Sequence, residues 1–218
     1  MKIIEIYNKY HIPKDLQLHM LRVSACAYLI LENWKDKEIN KESIIRVCLL
    51  HDMGNMAKIK DNPDNDEEFI RIREKYVEKF GLDDHLISLE IGKELGLNDY
   101  ELKIMEGKES KRNEEIMNSD SFEIKICAYC DERVSPYGVE SIKDRLEDAK
   151  KRYKGTKSVW GDEEKANHLI DCAIEIEKQI MQYCDIEPEK INDENVKDYI
   201  VKLQQFDIKN GEKDDNRN

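Results

Sequence analysis

Nine glycines and four prolines in 218 residues leave this chain few ways to make tight turns. All-β folds need many such turns, so the scarcity points to helices joined by short connections. The periodicity agrees. After Pro13, residues Leu16, His19, Met20, Val23, Ala27, Ile30 and Trp34 recur at steps of three and four along one helix face. A second helix starts near the N-cap candidate Asn40, and Ile44, Ile45, Val47, Cys48, Leu49 and Leu50 make it apolar nearly all round, as a buried helix is. It ends at His51-Asp52-Met53-Gly54, with Gly54 read as the left-handed residue that closes it. A polar loop over 58–66 follows, then a helix ending at Gly81, one over about 83–95 ending at Gly96, and a short one capped by Asn98 and Glu101. The charged stretch 106–115 reads as solvated surface. From Ser121 a helix carries Ile124, Cys127, Ala128, Asp131 and Val134 on one stripe until Ser135-Pro136-Tyr137-Gly138 breaks it. Amphipathic helices over 139–153, 162–183 and 192–206 complete the pattern.

Charge narrows the function classes. Forty-eight acidic against 36 basic residues give a formal net charge of -12, so most of the surface repels a polyanion, and duplex nucleic acid is a poor partner. No run of eighteen apolar residues exists, since the best candidate, beginning at Val23, is cut short by Glu32 and Asn33; no membrane span is expected. Six cysteines lie inside apolar helical stretches and nothing at the N-terminus resembles a secretory segment, which fits reduced thiols and a cytoplasmic location. Cys127 and Cys130 have CxxC spacing, but mid-helix and without a second such pair they read as small core residues.

The chemistry lies in ionisable residues placed on apolar stripes. His19 is three after Leu16 and four before Val23, His51 is three after Cys48, and Asp131 is three after Ala128 and three before Val134, so each points inward. Buried carboxylates need partners, and two close together repel unless a cation stands between them. With Asp52, the set offers two imidazoles and two carboxylates, a mixed nitrogen and oxygen group suited to one divalent ion such as Mn, Fe, Co, Ni, Zn or Mg. Neighbours on a helix diverge by about 100°, but at a helix C-terminus His51 and Asp52 can converge.

His19-Met20-Leu21-Arg22-Val23, the doublet within Cys48-Leu49-Leu50-His51-Asp52-Met53-Gly54-Asn55, and Cys127-Ala128-Tyr129-Cys130-Asp131 together resemble the HD-domain superfamily of metal-dependent phosphohydrolases over roughly residues 15–135. The resemblance implies an all-α helical bundle with additional C-terminal helices: an HD-type domain over 1–183, a helical extension over 184–206 and a disordered polar tail over 207–218. It also implies a metal gripped by His19, His51, Asp52 and Asp131, Asp52 orienting the attacking water, Arg133 and Arg22 meeting phosphate, and His85 as proton donor or supporting partner. Many members carry lysine where this chain has Asn55, with Lys58 only a partial substitute, and His85 is the one further histidine between doublet and final aspartate; a mononuclear centre is expected. The implied activity is hydrolysis of a small phosphorylated metabolite, a nucleotide being the family's pointer. The alternative is a non-catalytic HD-fold ligand-sensing or interaction module with a structural metal. The acidic surface and late helices are compatible with a homodimer.

Overall fold

Helix-forming segments separated by isolated glycines and caps build an all-α architecture, in a computed structural model that describes residues 1–59 and 67–208. In chain order the helices are α1 (Ile3–Lys9), α2 (Lys14–Glu32), α3 (Lys41–Leu50), α4 (Glu67–Phe80), α5 (Asp84–Glu94), α6 (Asp99–Gly107), α7 (Asn113–Asn118), α8 (Phe122–Arg133), α9 (Ile142–Tyr153), α10 (Glu163–Met181) and α11 (Asp193–Leu203). A 3₁₀ segment, Met53–Lys58, follows α3, and a minimal hairpin pairs Val134–Ser135 with Gly138–Val139 behind α8.

The centre is the mutual packing of α2, α3 and α8, the three helices that carry the inward ionisable residues. Their fully buried side chains include Met20, Ile30, Leu49, Leu50 and Ile126. As its sequence pattern implied, α3 is buried on nearly every side. Asn40 caps it by accepting from the Ser43 backbone N–H at 2.9 Å. Arg46 on α3 and Glu101 on α6 form a buried ion pair at 3.0 Å, and Glu101 also accepts from Ser43 Oγ (3.3 Å) and from the Asn98 N–H (2.9 Å). The pair therefore clamps the start of α6 to α3, a buried-charge arrangement sustained by its extra hydrogen bonds.

Several boundaries differ from expectation. Gly54 does not take a left-handed conformation; among the described residues the positive-φ glycines are Gly81, Gly96, Gly138 and Gly155. Its role is close approach, because a Cβ there would run into the Asp84 carbonyl and the Ser88 N–H of α5. Gly81 and Gly96 do take positive φ, after α4 and α5. The stretch 106–115 is not wholly solvated: Lys108 and Asn113 are buried, and α7 begins within it. The segment 139–153 yields its first residues to the hairpin, and α9 starts only after Ser141 caps it. Helix α1 was not anticipated, since seven residues are too few for a period to show.

The late helices share the core. Helix α11 packs on α2, and Ile191, Val196 and Leu203 join the main apolar cluster. The Ile3 N–H donates to the Phe206 carbonyl (2.9 Å), tying the two ends of the chain together. Asp207 and Ile208 belong to this closure, not to a disordered tail: Ile208 is fully buried and its N–H donates to the Met1 carbonyl (3.1 Å). The rest of the expected tail, 209–218, and most of the loop expected over 58–66 lie outside the described residues. Among the described residues no helix is long and apolar enough to cross a membrane.

Candidate metal centre

Helix α3 stops at Leu50, and there the backbone lets two consecutive side chains meet. His51 keeps a helical conformation (φ -59°, ψ -30°), whereas Asp52 swings to φ -114°, ψ 16° and heads the 3₁₀ segment. The helical divergence of neighbours is thereby removed. His19 approaches from the second turn of α2 and Asp131 from the last turn of α8.

The four side chains converge: one ligand atom from each lies within 4.8 Å of all the others. His19 Nε2 stands 3.2 Å from Asp131 Oδ1 and 3.4 Å from Asp52 Oδ2, while His51 Nε2 stands 3.2 Å from Asp131 Oδ1 and 3.6 Å from Asp52 Oδ1. Two ligands each about 2.1 Å from one ion at a tetrahedral angle are roughly 3.4 Å apart, which the imidazole-to-carboxylate separations match, so the group could hold a divalent cation. His51 Nδ1 sits 2.7 Å from the Cys48 carbonyl, so Nδ1 carries a proton and Nε2 faces the cluster. Asn55 Nδ2 donates to Asp52 Oδ2 at 2.6 Å and holds that carboxylate in place. The His51 side chain is 1% exposed, but His19, Asp52 and Asp131 keep 23%, 21% and 25%. The cluster is thus walled on the α3 side and open on the other, as a site that admits a reactant must be.

Lys108, the residue that closes α6, was missed by the sequence reading. Its buried Nζ donates to Asp131 Oδ2 at 2.6 Å and lies 3.7 Å from Asp52 Oδ1. Asp131 therefore serves two masters, one oxygen facing the imidazoles and the other the ammonium. Burial opposes charge on both carboxylates, yet Lys108 and His51 outweigh it and hold Asp52 and Asp131 well below the usual carboxylate range. Burial likewise favours neutral His19, but its hydrogen bonds to Asp131 and Asp52 bring its pKa up to about 9. One sequence signal for Lys108 existed: Gly107 precedes it, and a Cβ there would press on Ile124 of α8, so that glycine lets the end of α6 reach the site.

The other expected residues divide. Arg22 lines a cavity of about 480 Å³ that also contains His19, Asp52 and Asn55, with its Nε 3.4 Å from Asp193. Arg133 does not meet the cleft. It is 3% exposed and donates to the carbonyls of Glu140, Pro188 and Ile191 and to the Tyr129 hydroxyl, with Glu177 3.4 Å away. An arginine so engaged pins the C-terminal segment to α8 and is not available to phosphate. Lys58 is paired with Asp84 at 2.7 Å and lines neither cavity beside the cluster. His85 stands in the first turn of α5, outside the converging group and both cavities. Cys127 and Cys130 are buried free thiols, with Cys127 Sγ 3.6 Å from Cys48 Sγ beneath the site.

A second cavity, of about 490 Å³, opens on Asp131 and Glu132 and is walled by Leu146, Tyr153 and Trp160. Burial pushes the Glu132 carboxyl up to about 8 despite a 2.8 Å hydrogen bond from Asn113. Both volumes fall within the roughly 300–1,000 Å³ of small-molecule sites. No family model, curated protein or solved structure matches the chain at a significant level.

Proposed function

We propose that the protein is a metal-dependent phosphohydrolase of the HD type, acting on a small phosphorylated metabolite, a nucleotide by preference, in the cytoplasm. One observation carries this: the Nε2 atoms of His19 and His51 stand 3.2–3.6 Å from oxygens of Asp52 and Asp131, and one ligand atom from each of the four lies within 4.8 Å of the others, at the floor of an open cleft. His19, His51, Asp52 and Asp131 would hold the ion, which supplies Lewis acidity toward a phosphoryl oxygen and a water of lowered pKa. Asp52, fixed by Asn55, would orient a water for attack. With an ion held there, hydrolysis would join the water's oxygen to phosphorus and release the leaving oxygen with its electron pair and one of the water's protons. Lys108, which lines neither cavity, would act on the reaction through Asp131 and Asp52, whose charge it offsets.

The same lysine favours a second reading, a non-catalytic ligand-sensing or interaction module. Its ammonium already compensates Asp131 and Asp52, so the cluster is satisfied as an ion-pair network as it stands. A phosphate-release screen over nucleotides with Mn, Co, Ni and Mg, beside Asp52→Ala, separates the two. The hydrolase reading expects turnover with at least one metal and a loss of about a thousandfold or more in the variant. Turnover that survives Asp52→Ala would sink the mechanism, and bound metal without turnover on any phosphoester would favour the module.

A further inference from the structure

Helix α9 buries Ile142, Leu146 and Ala149, and on its flank it carries Arg145 and Arg152, seven residues and two turns apart. These two arginines line both cavities beside the cluster, the one containing His19 and Asp52 and the one containing Asp131. They therefore stand where the two cavities meet. Arg145 is half-buried, and its Nε donates to the Val134 carbonyl at 3.2 Å. Among the described residues no carboxylate lies within 4.0 Å of its guanidinium. The acids of the same wall have other partners: Glu132 accepts from Asn113 (2.8 Å) and Glu109 pairs with Lys111 (2.9 Å). Arg152 pairs through Nε with Asp148 at 2.7 Å, on a side open to solvent, and its guanidinium lies 6.0 Å from the centre of the Tyr153 ring.

A half-buried guanidinium with no carboxylate at ion-pair distance, in a cleft beside a phosphate-processing centre, is a receptor for anionic oxygens, which its fork of donors binds in pairs. We infer that Arg145 and Arg152 form a second anion subsite of this cleft, receiving a second phosphate of a substrate whose first phosphate lies at His19, His51, Asp52 and Asp131. As a statement about substrate, this rests on the phosphohydrolase reading. The ligand class is a nucleotide carrying two phosphates. Tyr153 and the buried Trp160 give the adjoining cavity an aromatic wall against which a base can stack. Lys111 adds one more basic group at its rim.

The test is calorimetric binding of adenosine 5′-diphosphate and adenosine 5′-monophosphate in the presence of a chelator, to the full chain and to Arg145→Gln and Arg152→Gln. Binding without added metal isolates the arginines from the chemistry. The wild type should prefer the diphosphate by about tenfold, and each substitution should remove most of that preference. Arg152 is exposed, so Arg152→Gln carries the test even if Arg145→Gln disturbs the fold. A diphosphate preference unchanged in both variants, or no such preference in the wild type, would overturn the subsite. The expected binding pattern with no phosphate released from any nucleotide would leave the subsite standing and overturn the hydrolase.

Discussion

Asp131→Ala is expected to abolish both metal retention and turnover. Its Oδ1 is the acceptor that both imidazoles approach at 3.2 Å, so the change removes the group around which the other donors are arranged. Loss of an outer partner of a metal ligand already costs 10–100-fold in affinity, and loss of a ligand itself should cost more than about a hundredfold. The alanine also leaves Lys108 buried without its nearest carboxylate. Breaking a buried pair costs about 3–5 kcal/mol, and because Asp131 keeps 25% exposure the lower end, about 3 kcal/mol, is expected here. Asp131→Asn separates the two effects. An amide oxygen can still accept from Lys108 and preserve the fold, but it removes the negative charge that a divalent ion needs. Metal content by mass spectrometry and melting temperature, measured on both variants, check this. Metal retained at one ion per chain in either variant would contradict the assignment.

Lys108→Met has a different signature, because the lysine is a cation that competes with the metal for the same carboxylates. Methionine fills similar space in an apolar setting, so the chief change is one positive charge removed from Asp131 and Asp52. Without metal, two partly enclosed carboxylates then face each other with only histidines between them, and stability should fall by about 2–3 kcal/mol. Divalent cations should bind about tenfold more tightly and recover most of that loss, since the repulsion an ion would meet from the ammonium is gone. Phosphate turnover should nevertheless decline, because Asp131 loses the 2.6 Å hydrogen bond that holds its carboxylate in place. Titration of Mn²⁺ followed by calorimetry reads the sign directly. Weaker metal binding in Lys108→Met would show that the ammonium supports the ligand geometry and does not oppose the ion.

How far these features were visible beforehand follows from what periodicity reports. His19, His51 and Asp131 stood out because each interrupts a stripe of apolar residues on a long helix, and a stripe fixes direction. Asp52 needed one further argument, that a helix end lets neighbours converge, and its φ of -114° bears that out. Lys108 offered no such contrast. It sits at a helix end inside Glu106-Gly107-Lys108-Glu109-Ser110-Lys111, and only tertiary packing of α6 on α8 encloses it. Arg133 was misplaced for the reverse reason: arginines are mostly exposed, and nothing local to α8 announces that α10 and the segment before α11 will surround it. Arg145 and Arg152 were overlooked because on an amphipathic surface helix a basic residue that lines a cleft looks like one that faces solvent. The two-residue strands of the hairpin are likewise too short to leave a pattern. Helices, and residues that contradict their own helix, are legible in a single chain; pairings between distant segments are not.

The central claim is that His19, His51, Asp52 and Asp131 are the ligands of one divalent ion. Anomalous diffraction from crystals of the full chain soaked in Mn²⁺ tests it most directly. The predicted result is one peak per chain, within about 2.0–2.3 Å of His19 Nε2, His51 Nε2 and an oxygen of each aspartate. No peak among these four side chains at saturating metal, with Lys108 Nζ still donating to Asp131, would contradict it.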